Sequence, residues 1–281
     1  MQASEDIVSD APPAWPLSVL AKASPAMVRL HPFPHLVIED ALDPALFTAL
    51  SATFPDTGLF LEDKEPGNNK YFWLRAHRAI QEPKVHQFWK DFVKFHTSNE
   101  FFQDVLRVFE DVIAAEYPAL APRSWSAAMR FVDGPRDVSL DCIPVYCSPV
   151  IKEETSSRGP HLDREVSLYG GLLYMRMPDD DSKGGDFVVH TSAPDVAAAE
   201  YDSGNHLLAG SIGDFDTIKY KANTLVFFIN TARAIHSVTP RSKTPYPRLH
   251  VSILGELASP LFSINKPVVG TGQTNAWYGN R

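Results

Sequence analysis

Two short segments 75 positions apart carry most of the chemistry legible in this chain. They are Gly159-Pro160-His161-Leu162-Asp163 and Ile235-His236-Ser237-Val238-Thr239-Pro240, with Arg248 twelve residues beyond the second histidine. Two imidazoles and one carboxylate suit a ferrous ion, which accepts nitrogen and oxygen donors and, held by three side chains, keeps about three of six octahedral positions free. An ion with open positions beside an obligate cation predicts an oxygenase that also takes an anionic cosubstrate.

The spacing is mechanical. Along a strand, residues i and i+2 point the same way, so His161 and Asp163 can grip one ion while Leu162 turns into packing. The third ligand must come from a distant strand, and the apolar, β-forming run at 223–230 ends just before His236. After a Pro-rich turn, residues 248–254 resume strand alternation, with Arg248, His250 and Ser252 on one face. A guanidinium there stays charged when desolvated and offers a planar fork to a carboxylate, here the distal one of 2-oxoglutarate. Arg241 is a rival for this task, but it follows Pro240 in the turn, whereas Arg248 opens a strand.

Downstream of His161 come an apolar run at 168–176, an acidic turn at 179–182, and Gly184-Gly185 leading into Asp186-Phe187-Val188-Val189. With these elements in this order, residues from about 146 to 256 resemble the Fe(II)- and 2-oxoglutarate-dependent dioxygenases, in the branch that includes prolyl-hydroxylase-like enzymes. The resemblance implies that His161, Asp163 and His236 are the catalytic iron ligands and that Arg248 pairs with the distal carboxylate of the cosubstrate. Tyr174 matches a tyrosine that hydrogen-bonds the same carboxylate, and Tyr146 one that lies near it. Met175-Arg176 departs from the usual Leu-Asn, and the interval from His236 to Arg248 is slightly longer than the common one. The implied fold is α+β, mainly β: a double-stranded β-helix (jelly-roll, cupin-like) core with N-terminal helices packed on the sheet. The implied reaction uses Fe(II), 2-oxoglutarate and dioxygen, with ascorbate as a candidate reductant, and releases succinate and CO2 as it hydroxylates a C–H bond. A small-molecule metabolite is the expected substrate. The alternatives are a peptidyl hydroxylase of the prolyl type, a non-catalytic cupin-like binding protein, and a zinc enzyme on the same barrel.

Singly, each of these residues has a blander explanation, as a surface histidine, a turn aspartate or a core tyrosine; their conjunction carries the reading. Arg176 shares the face of Tyr174 and either reaches substrate or ends its strand as a plain charge, and His250 either lines the pocket or is a buried histidine with one hydrogen bond. Other chemistries lack their carriers: HExxH, GxSxG, a GK[ST] phosphate loop and GxGxxG are absent. Cys142 and Cys147 are the only cysteines, which leaves no cysteine-rich zinc module and suggests a free, buried pair. A net charge of −8 without basic clusters argues against nucleic acid as a partner, and no apolar run reaches membrane-spanning length. Residues 1–10 carry neither a basic nor an apolar leader segment, so the expected location is cytoplasmic, which suits reduced iron and free thiols.

The elements that must position these groups divide the chain into an irregular leader at 1–30, one oxygenase domain at 31–260 and a tail at 261–281 that holds Trp277-Tyr278. Within the domain, a helical layer spans about 40–120 and the barrel about 125–256. A strand is expected at 33–40, and a helix from 44 toward 54, with Asp43 as its cap and Pro44 at its first position. Helical spacing marks 82–95 and 99–117, and strand patterning marks 127–132 and 138–146. Residues 195–219 read as an insertion between barrel strands at the mouth, a candidate for substrate specificity.

Overall fold

The computed structural model describes residues 16–61, 65–120, 124–152, 158–192, 200–209 and 212–266. In chain order its elements are β1 (His35–Ile38), α1 (Pro44–Ala52), β2 (Tyr71–Trp73), α2 (Ala76–Gln81), α3 (Gln87–His96), α4 (Asn99–Glu116), β3 (Ala127–Met129), β4 (Val138–Cys147), β5 (Arg158–His161), β6 (Ser167–Tyr174), β7 (Phe187–Ser192), β8 (Glu200–Tyr201), β9 (Leu207–Ala209), β10 (Ile212–Ile218), β11 (Leu225–Ile229), β12 (His236–Val238) and β13 (Arg248–Leu257). The strands form a larger sheet in the order β1-β11-β6-β13-β4-β2, with β3 added parallel to β4, and a four-stranded sheet β10-β7-β12-β5. The hairpin β8-β9 stands apart from both. The result is a mainly β core with the helices N-terminal to most of it.

Period-two alternation divides the strands between two cores. On β11, Leu225, Phe227 and Ile229 face a core shared with the helices, while Val226 and Phe228 face a second core between the two sheets. That central strand is apolar throughout because both of its faces are covered. β13 is divided differently. Leu249, Val251 and Ile253 join the helix-side core, while the alternate residues Arg248, His250, Ser252, Leu254 and Glu256 look into the space between the sheets. A mostly polar inner face on a buried strand marks a site, because unpaired polar groups are expensive in a core.

The helical layer packs against the larger sheet. α4 places Phe101, Phe102, Val105, Val108, Phe109 and Ile113 on one buried stripe, with Phe102 stacked over Tyr169 and Phe109 over Phe227. Each such side chain contributes roughly 1.5–3 kcal/mol through burial. The caps follow the sequence: Asp43 accepts from Ala45 N at 2.8 Å ahead of Pro44, and Ser98 accepts from Phe101 N at 3.3 Å. Within the leader, residues 16–30 lie along this layer, where Arg107 donates to the carbonyls of Leu20 and Ala23.

Several expectations need correction. The helix expected over 82–95 is α3, which starts at Gln87. Pro83 forces Glu82 into extended backbone (φ −69, ψ 117) and so ends the separate helix α2. α2 and β2 carry no strong pattern and were not anticipated. The strand expected at 127–132 stops at Met129, and Phe131 turns the chain with φ 64. Residues 212–218 within the expected insertion form β10, an antiparallel partner of β7, so that segment is partly an edge strand. Its residues 195–199 and 210–211, the leader's 1–15 and the tail's 267–281 with Trp277-Tyr278 lie outside the described residues. Among the described residues no helix is long and apolar enough to cross a membrane.

Candidate metal and cosubstrate site

His161 closes β5 and pairs across the ladder with His236, which opens β12, so hydrogen-bond register alone sets the two imidazoles side by side with ring centroids 4.2 Å apart. Asp163 comes from the extended turn just past β5, not from the strand itself, and its Oδ1 lies 3.9 Å from His236 Nε2. One donor atom from each of the three falls within 4.8 Å of the others. That is the convergence the sequence predicts, with Leu162 buried between the ligands.

Both rings are held in the tautomer a metal needs. His161 Nδ1 donates to Gly159 O at 2.8 Å and His236 Nδ1 to Ala234 O at 2.9 Å, which leaves each Nε2 lone pair free to ligate. His161 Nε2 is buried with no hydrogen-bond partner among the described residues, a polar orphan that a cation would satisfy. Burial, reinforced by Arg158 and then His236, holds His161 well below the ordinary imidazole value of 6.5. Burial also lowers His236, against the opposing pull of Asp163. Phe187 stacks on the His236 ring at 4.9 Å and 17°, and Phe228 meets it at 4.9 Å, fixing its plane.

Two residues that sequence reasoning missed position Asp163. Asn205, at φ 63, donates from Nδ2 to Asp163 O at 3.0 Å and accepts at its own carbonyl from Leu162 N at 3.0 Å. Gly170 lies so close that a Cβ there would meet Asp163 Oδ2 at 2.9 Å and Phe228 Cζ at 2.7 Å. The turn-forming run Asp202-Ser203-Gly204-Asn205 is visible in the sequence, but nothing local says which part of the fold it meets. His206 is a third unforeseen neighbour, its ring 5.8 Å from that of His161 and its Nδ1 3.1 Å from Asp202 Oδ2.

The cation expected for the cosubstrate is almost fully buried. Arg248 donates from Nε to Gly185 O at 3.1 Å and from Nη1 to His250 Nδ1 at 3.2 Å, and its Cζ lies 5.2 Å and 5.1 Å from the ring centroids of Tyr174 and Tyr220. Gly184 and Gly185, at φ +78 and +76, admit this approach: a Cβ on Gly184 would collide with Pro240 O, and one on Gly185 would press Arg248 Nε at 3.3 Å. Arg248 Nη2 and Tyr174 Oη are both buried without a hydrogen-bond partner, and Arg248 has no carboxylate partner among the described residues. Burial pushes the Tyr174 phenol up to about 12, so it stays a donor.

The other candidates sort themselves by their partners. Arg241 is neutralised by a fully buried ion pair with Asp180 at 2.8 Å and donates to Ser182 Oγ at 2.9 Å, although its Nη1 has no hydrogen-bond partner among the described residues. Arg176 braces the acidic turn through the carbonyls of Asp180, Ser182 and Tyr220. His250 is the buried acceptor of the Arg248 bond. Tyr146 is not brought to the site. It sits on the opposite face of β4, in the helix-side core against Phe60 and Phe72, because alternation along the strand turns residue 146 away from the inter-sheet face. Cys142 and Cys147 are free and buried, and burial pushes the Cys147 thiol up to about 11.

A cavity of about 550 Å³ adjoins Asp163 and His236, with Trp73, Leu172, Phe228 and Leu254 among its apolar walls and Ser203 to Asn205 at its border. The described part of the expected specificity segment therefore reaches this space.

No family model matches the chain, and no curated protein matches it. Solved structures do. One is a prolyl-4-hydroxylase from Pseudomonas putida, at 14% identity over 80% of this chain and 93% of that one, with a TM-score of 0.44. Another is the epimerase SnoN in complex with Fe3+, alpha ketoglutarate and nogalamycin RO, at 13% identity over 87% and 89% of the two chains, TM-score 0.43. A third is EctD from S. alaskensis with 2-oxoglutarate and 5-hydroxyectoine, at 12% identity over 80% and 73%, TM-score 0.42.

Proposed function

We propose that this chain is an Fe(II)- and 2-oxoglutarate-dependent oxygenase on a jelly-roll core, hydroxylating a C–H bond of a small molecule with release of succinate and CO2. The observation that carries the reading is two groups of buried polar side chains with donor or acceptor atoms that no described protein group satisfies. The buried Nε2 of His161 has no hydrogen-bond partner beside His236 and Asp163, and the buried Nη2 of Arg248 has none beside Tyr174, whose Oη also lacks one among the described residues. A zinc hydrolase would explain the first group and leave the buried cation without an anion to serve.

His161, Asp163 and His236 are the residues that would hold the ferrous ion, which, when bound, supplies the activation of dioxygen. Arg248 and Tyr174 orient the cosubstrate by its far carboxylate, the guanidinium as two parallel donors and the phenol as a third. Phe187 and Phe228 exclude water from the imidazoles. A cavity of this size, bordered by residues 203–205, supports a small substrate over a peptide lying in an open groove.

The test is succinate release from 2-oxoglutarate under air across a metabolite panel with peptides included. A small molecule should accelerate release and itself gain oxygen, and Asp163→Ala should reduce turnover at least about 1,000-fold through loss of the metal. Stimulation by peptides alone would select the prolyl-type alternative, and succinate release indifferent to Asp163→Ala would sink the reading altogether.

A further inference from the structure

We propose that the cavity beside Asp163 and His236 selects a small organic anion and that Arg158 recognises its charge, an inference that rests on the oxygenase reading for what is then done to the bound molecule. Residue 158 is an odd number of positions from His161, so simple alternation would turn it to the opposite face of β5. The observed register does otherwise. His161 pairs with His236 and Arg158 with Val238, so three steps on β5 oppose two on β12, and this bulge brings Arg158 to the face that carries His161. Arg158 accordingly lines the same cavity as Asp163 and His236.

The charges around that cavity do not balance. Arg75 is neutralised by Asp141 at 3.0 Å and Lys266 by Glu165 at 2.6 Å. Glu256 is shared by two guanidinium groups, Arg130 and Arg164. Arg158 has no ion-pair partner among the described residues. With the Asp163 carboxylate committed to the metal, the wall holds two cations in excess among the described residues, in a chain whose net charge is −8. Low-dielectric walls concentrate such a local field, which draws in an anion and disfavours a neutral or cationic rival. The planar fork of Arg158 suits a carboxylate or phosphate, and its place at the start of the strand that ends in His161 would hold the rest of the molecule over the metal.

The experiment titrates the full chain calorimetrically with matched pairs: benzoate and benzamide, indole-3-acetate and indole-3-acetamide, N-acetylprolinate and N-acetylprolinamide, and phenyl phosphate and phenol. Titrations are run with and without saturating 2-oxoglutarate and Mn(II), so that occupancy at Arg248 is controlled. At least one anion should bind roughly tenfold or more tighter than its neutral partner, with the preference shrinking as salt is raised. Arg158→Gln should cut that preference to about twofold or less, and Arg158→Lys should retain part of it. The carboxylate and phosphate arms tell which anion the site prefers. No preference for any anion, a preference insensitive to salt in the wild type, or one that survives Arg158→Gln overturns the inference. The anaerobic Fe(II)–2-oxoglutarate absorption of the wild type is recorded separately. Its absence defeats the oxygenase reading, while the anion preference still decides this inference.

Discussion

Gly170 shows how little room the candidate metal site leaves. Its missing side chain is where the Asp163 carboxylate and the Phe228 ring come closest to β6. Gly170→Ala should therefore destabilise the fold by about 1–3 kcal/mol through overpacking and also weaken Mn(II) or Fe(II) binding, because Asp163 must yield together with Phe228. Gly171→Ala is the control: its Cβ would press Phe227 at 2.7 Å, on the helix-side core, and should cost similar stability without loss of metal affinity per folded molecule. Denaturant melts and metal titration of the two variants separate the effects, and equal metal affinity in both would count against the placement of Asp163. Arg248 makes the complementary point. A buried guanidinium with a free Nη2 is costly in isolation, so its retention beside Tyr174 Oη argues for a ligand that completes it.

At the scale of elements, what the sequence reveals depends on whether a signal is local. The apolar run at 225–229, the Asp43-Pro44 helix start and the alternation on β13 are local, and each forms where its pattern places it. The convergence of His161, Asp163 and His236 was legible because residue type and order are what metal chemistry would specify, whatever the pairing that unites them. Arg158, Gly170 and Asn205 were not legible, since their roles arise from cross-chain register: a bulge opposite β12, a ring arriving from β11, a turn docking on the β5–β6 connection. Tyr146 illustrates the same limit from the other side. Its strand was foreseen, but which of the two cores residue 146 faces depends on the pairing of β4 with β13. Pro83 was a visible breaker that helical periodicity on either side of it obscured.

For the whole molecule, the buried histidines contribute to the response to acid. His35, His96, His161, His236 and His250 are all buried, and burial holds each below 6.5, His96 to about 4. Unfolded, these groups bind protons near 6.5, so below that pH the unfolded chain carries more protons than the folded one. The stability they contribute is complete above about pH 6.5 and is lost progressively as pH falls below it, for His96 down to about 4. Urea midpoints of the metal-free protein should be level at mildly alkaline pH and drop through this window; a midpoint that rose on acidification would contradict the neutral, buried state of these rings.

Anaerobic titration tests the central claim, one ferrous centre with a cosubstrate anchored by Arg248, most directly. Adding Fe(II) and then 2-oxoglutarate should give a visible charge-transfer band in the wild-type protein and none in His161→Ala. Arg248→Ala should need roughly 30-fold or more additional 2-oxoglutarate while binding iron within about threefold of wild type. Absence of the band, or an Arg248→Ala variant that loses iron and 2-oxoglutarate equally, would contradict it.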